Sequence, residues 1–310
     1  MEYRKELTKE FTKPAAVTLG KFDGIHLGHR LLIQEVIAAE KSGMISCVFS
    51  FDMHPVSLFS EREIHLIYTE EEKKTILQEL GVSCFLSYPF TKETAAMEPE
   101  TFIEKILLEK LQAEVIVVGP DYRFGKGRRG DISMLAQYAN RYGFQLLIKD
   151  KLTYHGEVVS STRIRETLAN GELEKANAML GQPYRITGTV VSGRQLGRTI
   201  GIPTITQQLP EQKLLPPNGV YAAQVQIDGK TYYGITNIGC KPTVQQTWVR
   251  NVETHLFDCT EDCYGKEAVV QLLSFVREEQ KFDSVEVLQK QIQADILYVK
   301  KYFQKQLGLQ

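Results

Sequence analysis

The spacing of apolar residues changes once along the chain, near residue 181, and this change limits the fold more than any other feature. Before it, short and nearly continuous apolar runs occur at Ala15–Leu19, 44–49, 82–86, 115–118 and 144–148. They alternate with helically spaced segments such as Leu31-Leu32…Val36-Ile37 and Ile103…Leu107-Leu108…Leu111. Strands apolar on both faces and separated by helices predict a parallel sheet covered on both sides, that is, a doubly wound α/β domain. After residue 181 the runs 184–190, 220–227 and 252–257 alternate with period two and are separated by turns such as Asp228-Gly229. That pattern predicts antiparallel strands in a small barrel or sandwich. A closing helix carries Val287, Leu288, Ile292, Ile296 and Val299 along one side. Between the two textures, a polar helix over about 162–180 ends at Gly181-Gln182-Pro183, where glycine caps and proline stops it. The expected domains are therefore 1–181 and 182–310. A length of 310 residues, at roughly 150 per domain, agrees with two.

Charge and cysteine usage narrow the function classes. The chain has 37 Lys+Arg against 38 Asp+Glu, a formal charge of −1. This argues against bulk nucleic-acid binding but leaves room for a local anion site. Cysteines 47, 84, 240, 259 and 263 are scattered and form no CxxC pair. Cys259 and Cys263 lack the second pair or nearby histidine of a zinc set. Reduced thiols in a cytoplasmic protein are the expectation. The charged start MEYRKELTKEF has no apolar core of a signal peptide, and no window has the ~18 apolar residues of a membrane span. No membrane partner is expected.

The most informative stretch is Thr18-Leu19-Gly20-Lys21-Phe22-Asp23-Gly24-Ile25-His26-Leu27-Gly28-His29, where the first strand gives way to the first helix. Ligands of open α/β sheets bind beyond the carboxyl ends of strands. Gly20 and Gly24 allow close backbone approach, and the free N–H groups of the new helix favour an anion. His26 and His29, three residues apart, share one helix face and can meet one phosphate. They can stabilise charge on a transferred phosphoryl group without a covalent bond. Val159-Ser160-Ser161-Thr162-Arg163-Ile164-Arg165 opens a later helix with hydroxyls and arginines suited to triphosphate oxygens. Lys126, Arg128 and Arg129, in a glycine-rich loop, are candidates for a phosphate clamp and equally for solvated surface charge.

In the second half, 193–204 is glycine-rich but lacks the GK[ST] of a P-loop. Asn237-Ile238-Gly239-Cys240-Lys241-Pro242-Thr243 reads as a second polar Gly/Pro turn. Strand alternation puts Glu253 on one face with His255 and Phe257, and Val252, Thr254 and Leu256 on the other. A carboxylate there can accept a proton from an attacking hydroxyl.

These motifs together resemble the bifunctional riboflavin kinase/FAD synthetase family of the prokaryotic type, over nearly the whole chain. TxGxFDGxHxGH is matched from Thr18 to His29, SSTRIR from Ser160 to Arg165, and the family's loop before a basic flap by Gly119-Pro120-Asp121-Tyr122-Arg123-Phe124-Gly125. GxxxGRxxGxPT, NIGxxPT and VExHLFD, with Tyr264-Gly265-Lys266, match its kinase half. The resemblance implies that 1–181 transfers AMP from ATP to FMN, and that 182–310 phosphorylates riboflavin in a six-stranded barrel. His26 and His29 would face the phosphates. Gly20, Phe22, Asp23, Gly24, Asp121, Ser161, Thr162 and Arg163 would bind nucleotide, with Asp121 toward the flavin. In the kinase, Glu253 would be the general base on the ribityl 5′-hydroxyl, while Gly193, Gly197, Arg198, Gly201 and Asn237 would bind ATP. Arg277 and the last helix would close over the flavin. Mg²⁺ would sit at Thr204 and Thr206. Here the chain departs from the family, which usually has PTAN where this sequence has Pro203-Thr204-Ile205-Thr206. The implied partners are the small molecules ATP, riboflavin and FMN, with flavoproteins as possible acceptors of FAD. Two alternatives stay open. One is an adenylyltransferase whose barrel is degenerate because of Thr206. The other is a flavin-responsive binding or RNA-binding regulator, disfavoured by the intact histidine and SSTRIR segments and the absent basic excess.

Overall fold

Pairing partners of the first-half apolar runs all lie parallel. The computed structural model describes residues 1–7, 10–52, 65–193, 197, 201–242 and 248–307. It divides into two compact units, Met1–Ser161 and Thr162–Gln310. In the first, β1 (Glu2–Arg4), β2 (Ala15–Leu19), β3 (Ile45–Phe51), β4 (Cys84–Tyr88), β5 (Ala113–Val118) and β6 (Gln145–Ile148) form one sheet in the order β1-β4-β3-β2-β5-β6. A short hairpin, β7 (Thr153–Tyr154) with β8 (Glu157–Val158), follows. Within the sheet, among the described residues, β1 alone has no counterpart in the apolar runs. Three residues are too few to display a period, and the strand exists through its pairing with Cys84, Phe85 and Leu86.

Helices cover both faces because successive strand residues point to opposite sides. Ala15, Val17 and Leu19 of β2 join Ile116 and Val118 of β5 in a core completed by Phe102, Ile103, Ile106 and Leu107 of α3 (Phe102–Lys110) and Leu135 of α4 (Ile132–Tyr142). Ala16, Val115 and Val117 face the other way, onto Leu32 and Val36 of α1 (Leu27–Ala38). A further helix, α2 (Glu70–Glu79), starts at a capping box in which Thr69 and Glu72 satisfy each other's backbone N–H groups. The strand order reverses between β2 and β5: the chain runs outward from β2 to β3 and β4, then returns to the other side of β2. Crevices open at such switch points.

The second unit begins with α5 (Ser161–Ala169), whose first residue still belongs to the first unit, and α6 (Leu173–Leu180). The sequence predicted one helix here; there are two, because Gly171 turns the backbone to φ +78° between them. Gly181 caps α6 at φ +72° and donates to Asn177 O. α6 is bound to strands of its own unit. Asn177 Nδ2 donates to Leu272 O at 2.9 Å, its Oδ1 accepts from Tyr184 N at 2.7 Å, and Ser274 Oγ donates to Glu174 at 2.7 Å. The contact division thus falls ahead of the glycine–proline break on which the expected boundary rests.

Strands β9 (Tyr184–Val191), β10 (Ile205–Gln208), β11 (Gly219–Ile227), β12 (Lys230–Pro242), β13 (Trp248–Leu256) and β14 (Glu267–Glu278) close a barrel in the order β10-β13-β12-β11-β14-β9, every pair antiparallel. Asp228 and Gly229, at φ +48° and +75°, make the tight turn between β11 and β12. The segment 237–242, expected as a turn, instead continues β12 as far as Pro242 and pairs with β13. Gly239 lets that strand pass against the Glu279 carboxylate, where a methyl group would collide. Val252, Thr254 and Leu256 are buried, and the Thr236 and Thr254 hydroxyls bond across the strands at 2.9 Å. The closing helix, α7 (Val285–Leu307), lays Ile292, Ile296, Val299 and Phe303 on Val220, Ile235 and Phe257. Val287, expected on this stripe, is 50% exposed.

Candidate active sites

The first site is a turn with unusual backbone. Phe22 (φ +47°), Gly24 (φ +91°) and Ile25 (φ +37°) all adopt left-handed conformations between β2 and α1. For the two non-glycine residues this costs energy, and strain of this kind collects at functional sites. Complete burial of the Phe22 and Ile25 side chains holds it in place. The Phe22 ring lies so close to Gly20 that a methyl group there would sit 3.1 Å from it. Ser50 Oγ donates to Lys21 O at 3.0 Å, and Ser161 Oγ to Asp23 O at 2.6 Å, tying the turn to β3 and to the start of α5.

His26 is the N-cap of α1, its Nδ1 accepting from His29 N at 3.3 Å. The two rings stack, centroids 3.7 Å apart and 16° between planes. Burial lowers the pKa of His26 to about 4. Burial, together with the positive charges that His26 and Lys73 would place beside it, holds His29 well below the usual range. Both rings are therefore neutral near pH 7. Since His26 Nδ1 accepts, the ring proton is on Nε2, which is left as a donor. Among the described residues, two buried polar atoms of this turn have no hydrogen-bond partner: His29 Nδ1 and Thr18 Oγ1. Buried orphans are rare unless a ligand or water satisfies them.

Asp23 also ties the turn to the segment ahead of α2. Its Oδ1 accepts from Ile67 N (3.0 Å) and Tyr68 N (3.3 Å). α2 also supplies Lys73, which sequence reasoning missed. It is 6% exposed, and burial lowers its pKa while the carboxylates of Asp23, Glu70 and Asp52 oppose that shift. The available signal was a lysine in line with the apolar positions Ile76 and Leu77. Asp121, just past the carboxyl end of β5, is exposed and paired with Lys151 at 2.8 Å; that hydrogen bond lowers its pKa. In the following loop, Lys126 and Arg129 both pair with Glu98, at 3.1 and 2.8 Å. Thr162 and Arg163 follow Ser161 in the first turn of α5.

The second site is a row across strands. Thr206 on β10 stands opposite Glu253 on β13, which stands opposite Asn237 on β12. Directly paired residues share a face. Because Val252 and Thr254 point into the barrel, this row points out. Thr206 Oγ1 donates to Glu253 Oε1 at 3.2 Å. A methyl group on Gly193 would lie 2.5 Å from Thr206 Oγ1 and 3.8 Å from Glu253 Oε1, so the glycine loop starts directly over the pair. Ile202 N donates to Gly197 O at 2.7 Å, and His255 Nδ1 bonds Pro203 O at 2.7 Å, tying the far end of the loop to β13. Gly201 (φ +76°) and Thr204 are exposed. Arg198 lies outside the described residues. Arg277, expected toward the flavin, is held in a two-pronged ion pair with Asp295 of α7, with contacts from 2.8 to 3.1 Å; Gln291 also donates to Asp295 at 2.8 Å. Sequence reasoning missed Asp295, a lone acid in the apolar stripe of α7.

The Thr204 hydroxyl, just ahead of this row, and the Asn237 and Glu253 side-chain oxygens within it are hard donors. Among the described residues no three His, Cys, Asp or Glu side chains gather as a metal cage. Such a site suits an ion held by a few protein oxygens, substrate phosphates and water, the habit of Mg²⁺.

Comparison with known proteins separates the chain along similar lines. A family model described as FAD synthetase matches residues 8–163, and one described as riboflavin kinase matches 180–303. The bifunctional riboflavin kinase/FMN adenylyltransferase of Listeria monocytogenes is 36% identical over 293 residues, covering 93% of this chain and 92% of that protein. The Escherichia coli K12 protein of the same name is 37% identical over 290 residues, covering 93% and 92%. Among solved structures, one named a macrolide-efflux protein from Streptococcus pneumoniae aligns with a TM-score of 0.83 and 29% identity, over 94% of this chain and 96% of that one.

Proposed function

The chain belongs to the bifunctional riboflavin kinase/FMN adenylyltransferase family, and from that premise we propose which of its residues perform each reaction. It converts riboflavin to FMN and FMN to FAD. In the adenylyl transfer, an oxygen of the FMN phosphate bonds to the α-phosphorus of ATP and the bond to pyrophosphate breaks. His26 Nε2–H and the ring of His29 donate to the phosphates and stabilise the charge that moves onto pyrophosphate. Gly20, Phe22 and Gly24 shape the turn that admits the nucleotide. Asp23 holds the turn rather than touching substrate. Ser161, Thr162 and Arg163 supply donors to the triphosphate, and Asp121 lines the approach at the end of β5.

In the kinase reaction, the ribityl 5′-hydroxyl oxygen bonds to the γ-phosphorus of ATP, ADP departs, and Glu253 takes the hydroxyl proton. Gly193, Gly197, Arg198 and Gly201 cover the phosphates, and Asn237 flanks them. Arg277 acts through Asp295, fixing α7 over the flavin side. Thr204 would hold Mg²⁺, which when bound neutralises phosphate charge. Five free thiols support a reducing compartment such as the cytoplasm, where flavoproteins could take up the FAD.

The observation that carries this reading is that each unit holds its own constellation, a stacked histidine pair in one and an outward carboxylate between Thr206 and Asn237 in the other. The test is chromatography of products from riboflavin, ATP and Mg²⁺. FMN followed by FAD is expected. FAD made from supplied FMN but not from riboflavin would leave only the adenylyltransferase.

A further inference from the structure

We infer that Thr206 is the positioning residue of the kinase base rather than a metal ligand. The inference rests on the reading of Glu253 as that base. Thr206 and Glu253 are directly paired across β10 and β13, both on the outer face. At that register the short threonine side chain reaches its neighbour, and its hydroxyl proton is directed to Glu253 Oε1 at 3.2 Å. A hydrogen bond to one carboxylate oxygen fixes the rotation of the group about its last side-chain bond, which orients the atoms that must meet the substrate hydroxyl.

The same hydroxyl is poorly placed to serve a metal. A methyl group on Gly193 would stand 2.5 Å from Thr206 Oγ1, so the loop backbone crosses immediately above it. Mg²⁺ binds at about 2.0–2.1 Å and keeps several waters in a near-octahedral shell, which needs open space beyond the ligand atom. Thr204, just ahead of β10, is exposed, and a methyl group on Gly197 would lie an ordinary 3.5 Å from its Oγ1, which leaves more room there. The two threonines thus divide the work, Thr204 toward the ion and Thr206 toward the carboxylate.

The full-length protein tests this with Thr206→Val, which keeps shape and β-branching but removes the hydroxyl, and Thr206→Ser, which restores it. Riboflavin phosphorylation is measured for kcat and KM, and binding of ADP in the presence of Mg²⁺ by calorimetry. FAD synthesis from supplied FMN reports that the protein is folded. Thr206→Val is expected to lower kinase kcat about tenfold, the scale of one hydrogen bond to a charged group, with KM for riboflavin and ADP affinity unchanged. Thr206→Ser should recover most of kcat. In a Glu253→Gln background, Thr206→Val should cost nothing further, because the group it orients is gone. Weaker ADP–Mg²⁺ binding in the valine variant, with kcat kept at saturating metal, would make Thr206 a metal ligand and overturn the inference. Wild-type kcat in that variant would overturn it too. Near wild-type turnover of Glu253→Gln alone is a separate outcome, which removes the base itself.

Discussion

The two proposed sites would hold triphosphate next to flavin from opposite structural starting points. In the parallel sheet the proposed reactive groups lie beyond the strand ends, in a turn that no strand ladder holds. The turn is instead fixed by left-handed backbone, buried anchors at Phe22 and Ile25, and the carboxylate of Asp23. Its histidines are desolvated and neutral, and His29 Nδ1 is unsatisfied among the described residues. In the antiparallel barrel the reactive carboxylate lies mid-strand, braced on both sides by the ladder, with Thr206 and Asn237 as neighbours. The first site stores its specificity in strain and burial, the second in register. A site of the first kind is sensitive to pH and to backbone, and one of the second kind to the identity of single side chains.

The sharpest break of that comparison is Glu253→Gln. Glutamine keeps the size and hydrogen bonding of the side chain but takes no proton as a carboxylate does, so kinase turnover should fall by ~10²–10⁴ with flavin affinity retained. FAD synthesis from FMN should not change. Little change in FMN formation would return Glu253 to an ordinary strand residue.

Next in size is His29→Ala, and with it His26→Ala. Removing a donor aimed at developing charge should cost FAD synthesis on the order of 10²–10³ and leave riboflavin phosphorylation intact. An equal fall in both activities, measured on one preparation, would mean that the two sites are not independent.

The pH dependence of folding distinguishes the sites by a third route. His26 titrates at about 4 in the folded protein against about 6.5 in an unfolded chain. Between these values the unfolded chain binds a proton that the folded one excludes, so stability is full above pH ~6.5 and falls as pH drops toward 4. One such group accounts for about 3 kcal/mol at the low end. His26→Asn keeps an N-cap and removes the titration. Denaturant unfolding at pH 7 and pH 4.5 should therefore show a smaller acid loss in the variant than in the wild type, and equal losses would show that the ring is not desolvated.

The smallest effect concerns where the barrel ends. A fragment 182–310 lacks α6 and its bonds to Leu272, Tyr184 and Ser274. Set beside 162–310, it should still show β-type circular dichroism but melt several degrees lower, the expected cost of ~1–2 kcal/mol in a domain of this size. Identical melting would show that α6 adds nothing to the barrel.

Much of this was legible in the residues. Apolar spacing is set by which faces a strand or helix buries, so the parallel sheet, the antiparallel barrel and the change of texture near 181 follow from local order. Gly24, His26 and His29 are equally local, because a turn and a helix N-terminus need only adjacent residues. That Glu253 lies on the face opposite Val252, Thr254 and Leu256 followed from alternation; that this face is the outer one follows only from the burial of those three. Alternation could not tell that 237–242 is strand rather than turn, since the polar and glycine residues there are explained only by β13 alongside and Glu279 beneath Gly239.

Other assignments depended on partners far away in sequence, and these only the tertiary structure decided. Asp23 meets Ile67 and Tyr68, Arg277 meets Asp295, and Thr206 meets Glu253. In each case the residue type states what bond is wanted, and the fold selects the atom that supplies it. A carboxylate in a glycine turn suits a nucleotide and a helix start equally well, and a threonine suits an ion and a carboxylate equally well. The sequence by itself determined which chemistry the chain carries, because motifs are short-range and side-chain types are fixed. Which residues touch substrate and which hold those residues in place was decided by chain segments that meet only after folding, since register and burial are properties of the packed chain.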